Sequence, residues 1–376
     1  MMSFAKWGNA LYSGEKSYGI ISARKKWLSL GLVLIAVSIA FIGIRGMNPS
    51  IEFIGGSQFT LSQLSNTSQE PAEKVLEQHG LTQGTKITQL GSSGLRIQGP
   101  EVSVEEIAKL RTDLATAYQV SPNEVDATKI GPSWGAGVTS KAVKSLVIFL
   151  TLVGTLMAIY FRSWPMSVAA LFALAHDMFI TAGFFALIQA EVSPATVIGF
   201  LTILAYSLYD TVVVFDRVRE LTGDLTKQNE YTFAELVNLA VNQTLVRSIN
   251  TSVVALLPVG AILFIGALLL GAGTLIDISL ALFVGMIAGT LSSVFIAPAT
   301  LVLIEEKRKR TSQHTATVLA ARGEKEITVV APKAKDIFVE PAKATEEEEF
   351  APDVIPGRHL GQSAQPKGKV KKRKKK

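Results

Sequence analysis

Apolar residues in this chain gather into long runs, with polar stretches between them that carry shorter periodicities. Six runs read as membrane spans, at about residues 27–44, 142–160, 166–188, 194–215, 250–270 and 276–304. A helix needs roughly 20 mainly apolar residues to cross a bilayer. The last run is longer than that, so its helix is expected to tilt or to end at the interface. The first run follows Arg24, Lys25 and Lys26 and runs into Arg45-Gly46-Met47-Asn48-Pro49. No small-residue cleavage site follows it, so it reads as an uncleaved anchor.

Between the first two spans, residues 45–141 are polar and carry the alternations of a small folded domain. Ile51 to Leu61 reads as a strand and Glu70 to Gln78 as a helix stopped at Gly80. Lys86 to Leu90 and Leu95 to Gln98 read as strands joined by a Gly-rich hairpin. Val104 to Tyr118 reads as a helix, with Ser103 and Glu106 at capping-box spacing. Glu124 to Ile130 closes the set as a strand. The order βαββαβ is the ferredoxin-like pattern. A second capping box, Thr232 with Glu235, starts a helix with Phe233, Leu236, Val237 and Ala240 on one side. That helix is expected to lie along the membrane surface and run towards the fifth span. Residues 305–376 hold Pro, Lys and Glu with few large apolar residues and are expected to be disordered.

Charge orients these elements. Lys and Arg precede the first span, sit at Arg162, fill the stretch from Arg217 to Arg247, and follow the sixth span at Lys307 to Arg310. The loops 189–193 and 271–274 carry none. The positive-inside rule then places both termini, 1–26 and 305–376, in the cytoplasm and 45–141 outside. Composition agrees with an integral membrane protein: only 18% of the 376 residues are charged and the mean hydropathy is +0.33. The net charge of +6 owes much to the Lys/Arg cluster at 367–376. Such a cluster suits anionic lipid or RNA, but no nucleic-acid-binding fold accompanies it. The absence of cysteine excludes disulfides and thiolate chemistry.

Candidate chemistry lies where polar groups interrupt the spans. Asp210 sits in the fourth, where a carboxylate at mid-membrane costs roughly 2.5–3.5 kcal/mol on insertion scales. Such residues usually mark a proton or ion path. Tyr206 and Ser207, a helical turn before it, are positioned to donate to it, and Thr211 adjoins it. His176 and Asp177 place two more polar groups in the middle of the third span, as an interhelical hydrogen-bond pair or a proton relay. Arg247 at the mouth of the fifth span reads equally as a positive-inside anchor or as a partner of Asp210, with Asn250 nearby. Asp216, Arg217, Arg219 and Glu220 form either a solvated cluster or a network joining the fourth span to the following loop. Asp277 reads as interfacial, and Gly285 with Gly289 makes a GxxxG spacing for close helix contact. Gly55-Gly56 permits a bulge or close backbone approach. Four histidines without ligand spacing give no metal site, and no nucleotide-binding, nucleophile-elbow or zincin motif is present, so no cofactor is expected.

These residues also carry a resemblance. The run Tyr206-Ser207, Asp210 to Asp216, Arg217, Val218, Arg219, Glu220 closely resembles the signature of the SecF family of bacterial protein-export subunits. Asn242, Thr244, Arg247, Ser248, Thr251 and Ser252 resemble the segment that follows in that family. Phe53, Gly55 and Gly56, and Ile130, Gly131 and Pro132, resemble motifs of its external domain. Glu52 stands where the family often has Asp, Tyr209 replaces a common Asn, and the tail after Ile304 is outside the pattern. The resemblance implies an RND-type half of six spans with one small α+β, ferredoxin-like extracytoplasmic domain, in the bacterial cytoplasmic membrane. It implies no enzymatic activity. Its partners would be SecD, the Sec translocon channel and its ATPase motor, preprotein substrates and membrane lipids. It implies that Asp210 is the membrane carboxylate of the proton path and Arg247 its basic partner, although sodium would suit the same carboxylate. An RND-type small-molecule or lipid exporter half, and a scaffold without transport, are the rival readings.

Overall fold

A computed structural model describes residues 4–266 and 273–323. A short helix, α1 (Phe4–Tyr12), precedes the first span, α2 (Arg24–Arg45). The chain then forms a two-residue strand, β1 (Asn48–Pro49), and a single helical turn, α3 (Ile51–Ile54). The polar domain follows with β2 (Gly56–Leu61), α4 (Glu70–Gln78), β3 (Lys86–Leu90), β4 (Gly94–Gly99), α5 (Val104–Tyr118) and β5 (Val125–Ile130). Its four strands pair antiparallel in the order β3-β4-β2-β5. Strand alternation puts Phe59, Leu61, Leu95 and Ile97 on one face, where they meet Val75 and Leu76 of α4 and Leu110 and Leu114 of α5. Burying each such side chain contributes about 1.5–3 kcal/mol. Gln58, Thr60, Arg96 and Gln98 fall on the opposite face. Both helices have the expected bounds, and the Ser103–Glu106 capping box closes in both directions.

The expected strand over 51–61 is corrected in its first half, which is the turn α3. Gly55 and Gly56 have φ of +81° and +138°, a conformation that stops an extended run and strains other residues. A Cβ on Gly55 would lie 3.0 Å from the Pro132 backbone, so the bend seats α3 against the start of the second span.

The remaining spans are α6 (Pro132–Phe161), α7 (Trp164–Ile188), then, after the two-residue strand β6 (Glu191–Val192), α8 (Pro194–Thr222) and α9 (Phe233–Ile265). The last is built from α10 (Gly273–Leu291), a π-helical turn at Ser292–Ile296 and α11 (Ala297–Glu305), and α12 (Lys309–Arg322) comes after it. Among the described residues, six helices of 22 to 33 residues are thus long and apolar enough to span a membrane, and the protein is a multi-pass membrane protein. Small residues set the close approaches between them: Gly31 of α2 touches His176 and Ile296, and Gly183 of α7 meets Ser38.

Two expectations change after the fourth span. The Thr232 capping box forms, but the helix it starts is continuous with the fifth span and is buried all round from Phe233 to Thr244. An amphipathic surface helix would leave one face open. Here the N-terminal segment covers it: Asn238 and Asn242 accept from the backbone N–H groups of Ile21 (3.0 Å) and Tyr18 (2.8 Å), and Gln243 donates to the Tyr12 carbonyl (2.9 Å). The other cover is α12, which lies inside the stretch expected to be disordered. Its Arg322 pairs at 2.8 Å with the fully buried Glu235, and Thr311, His314, Thr315 and Val318 are buried. Residues 324–376, within the stretch expected to be disordered, and residues 267–272, which hold the expected end of the fifth span and part of the loop expected at 271–274, lie outside the described residues.

Candidate functional site

Ser207 and Asp210 are three residues apart on α8 and turn inward together. Each belongs to a different cluster. Asp177 of α7 is fully buried, and its Oδ2 accepts from the hydroxyls of Ser207 (2.5 Å) and Ser292 (2.8 Å). Its Oδ1 lies 3.1 Å from Nδ1 of its neighbour His176. Asp210, 4% exposed, accepts from Ser248 of α9 at 2.8 Å through Oδ1 and from Ser293 through Oδ2. One turn further along, Ser252 and Thr290 share a hydrogen bond of 2.7 Å.

The π turn aims Ser292 at one carboxyl and Ser293 at the other. Such turns occur mostly as single insertions in α-helices and frequently at functional sites. Glycine makes the approach possible. A Cβ on Gly289 would lie 2.9 Å from the Ser207 Cβ and 3.5 Å from Asp177 Oδ2, and Gly285 sits on Ile203. The GxxxG spacing is therefore a close contact of α10 with α8. Three buried polar atoms beside these clusters, His176 Nε2, Tyr206 OH and Thr211 Oγ1, have no hydrogen-bond partner among the described residues.

The expected donors to Asp210 are corrected. Ser207 serves Asp177, and the Tyr206 hydroxyl does not reach Asp210. Arg247 does not pair with it either: its guanidinium is exposed and donates to the Tyr209 hydroxyl at 3.4 Å. Successive helical residues point about 100° apart. With Ser248 turned to Asp210, Arg247 faces outward, as does the exposed Asn250. No ion pair involves Asp210 among the described residues.

Ser292 and Ser293 were missed from sequence, and Ser248 was noted only as part of the family-like segment, not as a partner of Asp210. The available signal was the serine pair inside an otherwise apolar span.

The charge cluster forms a network. Arg217 donates to Gln243 of α9 at 2.7 Å, pairs with Glu220 and lies over the Tyr12 ring of α1. Asp216 accepts from the Tyr160 hydroxyl (3.3 Å), and Arg219 donates to the Tyr160 carbonyl (3.1 Å). The motif residues of the polar domain also converge. Gly131 caps α6, Pro132 occupies its first turn, and a Cβ on Gly135 would collide with the Phe53 carbonyl.

Fold and site together define a six-span membrane protein in which two carboxyl groups, Asp177 and Asp210, are buried between spans and held by serine hydroxyls. The family model "Protein export membrane protein SecD/SecF, C-terminal" matches residues 110–307, and the SecD/SecF GG motif matches 40–62, around Gly55-Gly56. The protein translocase subunit SecF of Streptomyces coelicolor is 43% identical over 317 residues, covering 84% of each chain. That of Mycobacterium tuberculosis H37Rv is 37% identical, covering 83% of this chain and 72% of its own. The crystal structure of SecDF, a translocon-associated membrane protein from Thermus thermophilus, superposes with a TM-score of 0.71 at 32% identity. The match covers 78% of this chain and 39% of that longer one. A SecDF structure in a super-membrane-facing form gives 0.57 at 31% identity. The chain belongs to the SecF branch of the SecD/SecF protein-export family.

Proposed function

We propose that this chain is the SecF half of a SecD–SecF complex, a non-enzymatic accessory subunit of the Sec translocase that couples the proton-motive force to preprotein export. The observation that carries the coupling is Asp210, a carboxyl buried between spans whose partners are hydroxyls. An ionised carboxylate only accepts hydrogen bonds, whereas the neutral acid also donates one. When Asp210 takes a proton, the Ser248 or Ser293 hydroxyl that donates to the protonated oxygen has to turn round or leave. The change falls on the contacts of α8 with α9 and with the π turn, and these long helices carry it to both membrane faces. A charge crossing 100 mV releases about 2.3 kcal/mol. That shifts a two-state equilibrium by roughly fiftyfold, since 1.4 kcal/mol is tenfold.

In this reading the polar domain is a ferredoxin-like fold on the outer side of the bacterial cytoplasmic membrane, and both termini are cytoplasmic. The βαββαβ order and the sheet order support the first part, and the Lys/Arg distribution supports the second. SecD supplies the other half of the bundle, and the channel, its ATPase motor and the emerging preprotein are the working partners. The test is Asp210→Asn in membrane vesicles. The variant inserts and co-purifies with SecD, but proton-dependent stimulation of export is lost. Stimulation at the starting level contradicts the role.

A further inference from the structure

A second polar cluster joins the external sheet to the outer end of the bundle. Arg96, on the face of β4 away from the domain core, is paired with Glu191 between α7 and α8, and both side chains are 10% exposed. Gln98, two residues along the same face, donates to the other Glu191 oxygen at 2.6 Å and to Gln58 at 2.9 Å. The backbone of Glu191 pairs with Asn48 in a parallel bridge, and its carbonyl accepts from Thr196 (3.2 Å). Glu191 is therefore held on both sides, by the domain and by the helix ends.

Arg96 also has unused capacity: its buried Nε finds no partner among the described residues.

We propose that the Arg96–Glu191 pair is a latch fixing the pose of the external domain on the bundle. Removing one partner of a buried pair leaves an uncompensated charge, so the latch is sensitive to either residue. A positioning role for Glu191 follows whether or not domain release is coupled to proton movement, because the pose is read directly.

The chain has no native cysteine, so spin labels go cleanly onto Ile44→Cys at the end of α2 and Glu105→Cys on α5, both exposed. Pulsed dipolar spectroscopy on the full chain with SecD in lipid nanodiscs gives the distance distribution. The latch predicts one narrow population in the starting protein and a second population in Glu191→Gln. The charge swap Arg96→Glu with Glu191→Arg restores the single population, which a defect of packing would not do. An unchanged distribution in Glu191→Gln, or failure of the swap to restore it, overturns the latch.

Discussion

The polar domain and the helical bundle are held together by different means. In the domain, large side chains such as Phe59, Leu61, Leu95, Leu110 and Leu114 fill one apolar layer, and water drives them there. In the bundle, lipid is as apolar as leucine, so burial alone does not choose which helix faces meet. The choice falls to small and polar groups: Gly285 and Gly289 against α8, Gly183 against Ser38, and the serines around Asp177 and Asp210. A domain built on large residues loses stability when they shrink. A bundle built on small ones loses it when they grow, and under the proposed role is expected to lose function when a hydroxyl is removed.

Truncation and enlargement test that contrast from its two sides. Leu110→Ala, at a fully buried position of α5, is expected to destabilise the domain by about 2–5 kcal/mol. Thermal unfolding followed on the domain should show it, with the bundle still assembled with SecD. Gly285→Leu forces α10 away from Ile203 and is expected to cost about 1–3 kcal/mol of overpacking. Melting of the purified membrane protein should fall, and if it stays level the close contact is not a determinant. Ser293→Ala is a smaller change. Interhelical hydrogen bonds in membranes average about 0.6 kcal/mol, so its melting shift should be slight while its export stimulation falls sharply. The smallest effect is expected for Arg247→Gln, since an exposed side chain away from special features changes stability by about 0.5 kcal/mol or less. If that substitution lowers export stimulation as strongly as Ser293→Ala, the hydroxyl partners are not the ones that matter.

The same contrast decides what could be read from the chain. The helices at 70–78 and 104–118 and the hairpin around 86–98 were legible because water imposes a period on half-buried elements. The spans were legible from length, and both capping boxes from their spacing. What failed depended on tertiary contact. Ile51–Ile54 has strand composition, yet positive φ at Gly55 and Gly56 and the seat on α6 make it a helical turn. The segment after Thr232 looked like a surface helix because its cover comes from residues 12–21 and 309–322, remote in sequence. Asp210 stood out as an acid among apolar residues. Its partners did not, since a serine in a span carries no periodic signal, and Arg247 drew notice for its charge at the mouth of a span and for its place in the segment that resembles the SecF family.

The central claim is that Asp210 changes its ionisation while held by the serine hydroxyls. Infrared difference spectroscopy of the complex in vesicles, recorded as a proton gradient is imposed, observes that event in the carboxyl stretching region. The account predicts a carboxylic-acid band that disappears in Asp210→Asn and shifts in Ser293→Ala, with Arg247→Gln resembling the starting protein. A spectrum in which Asp210→Asn removes no band would contradict it.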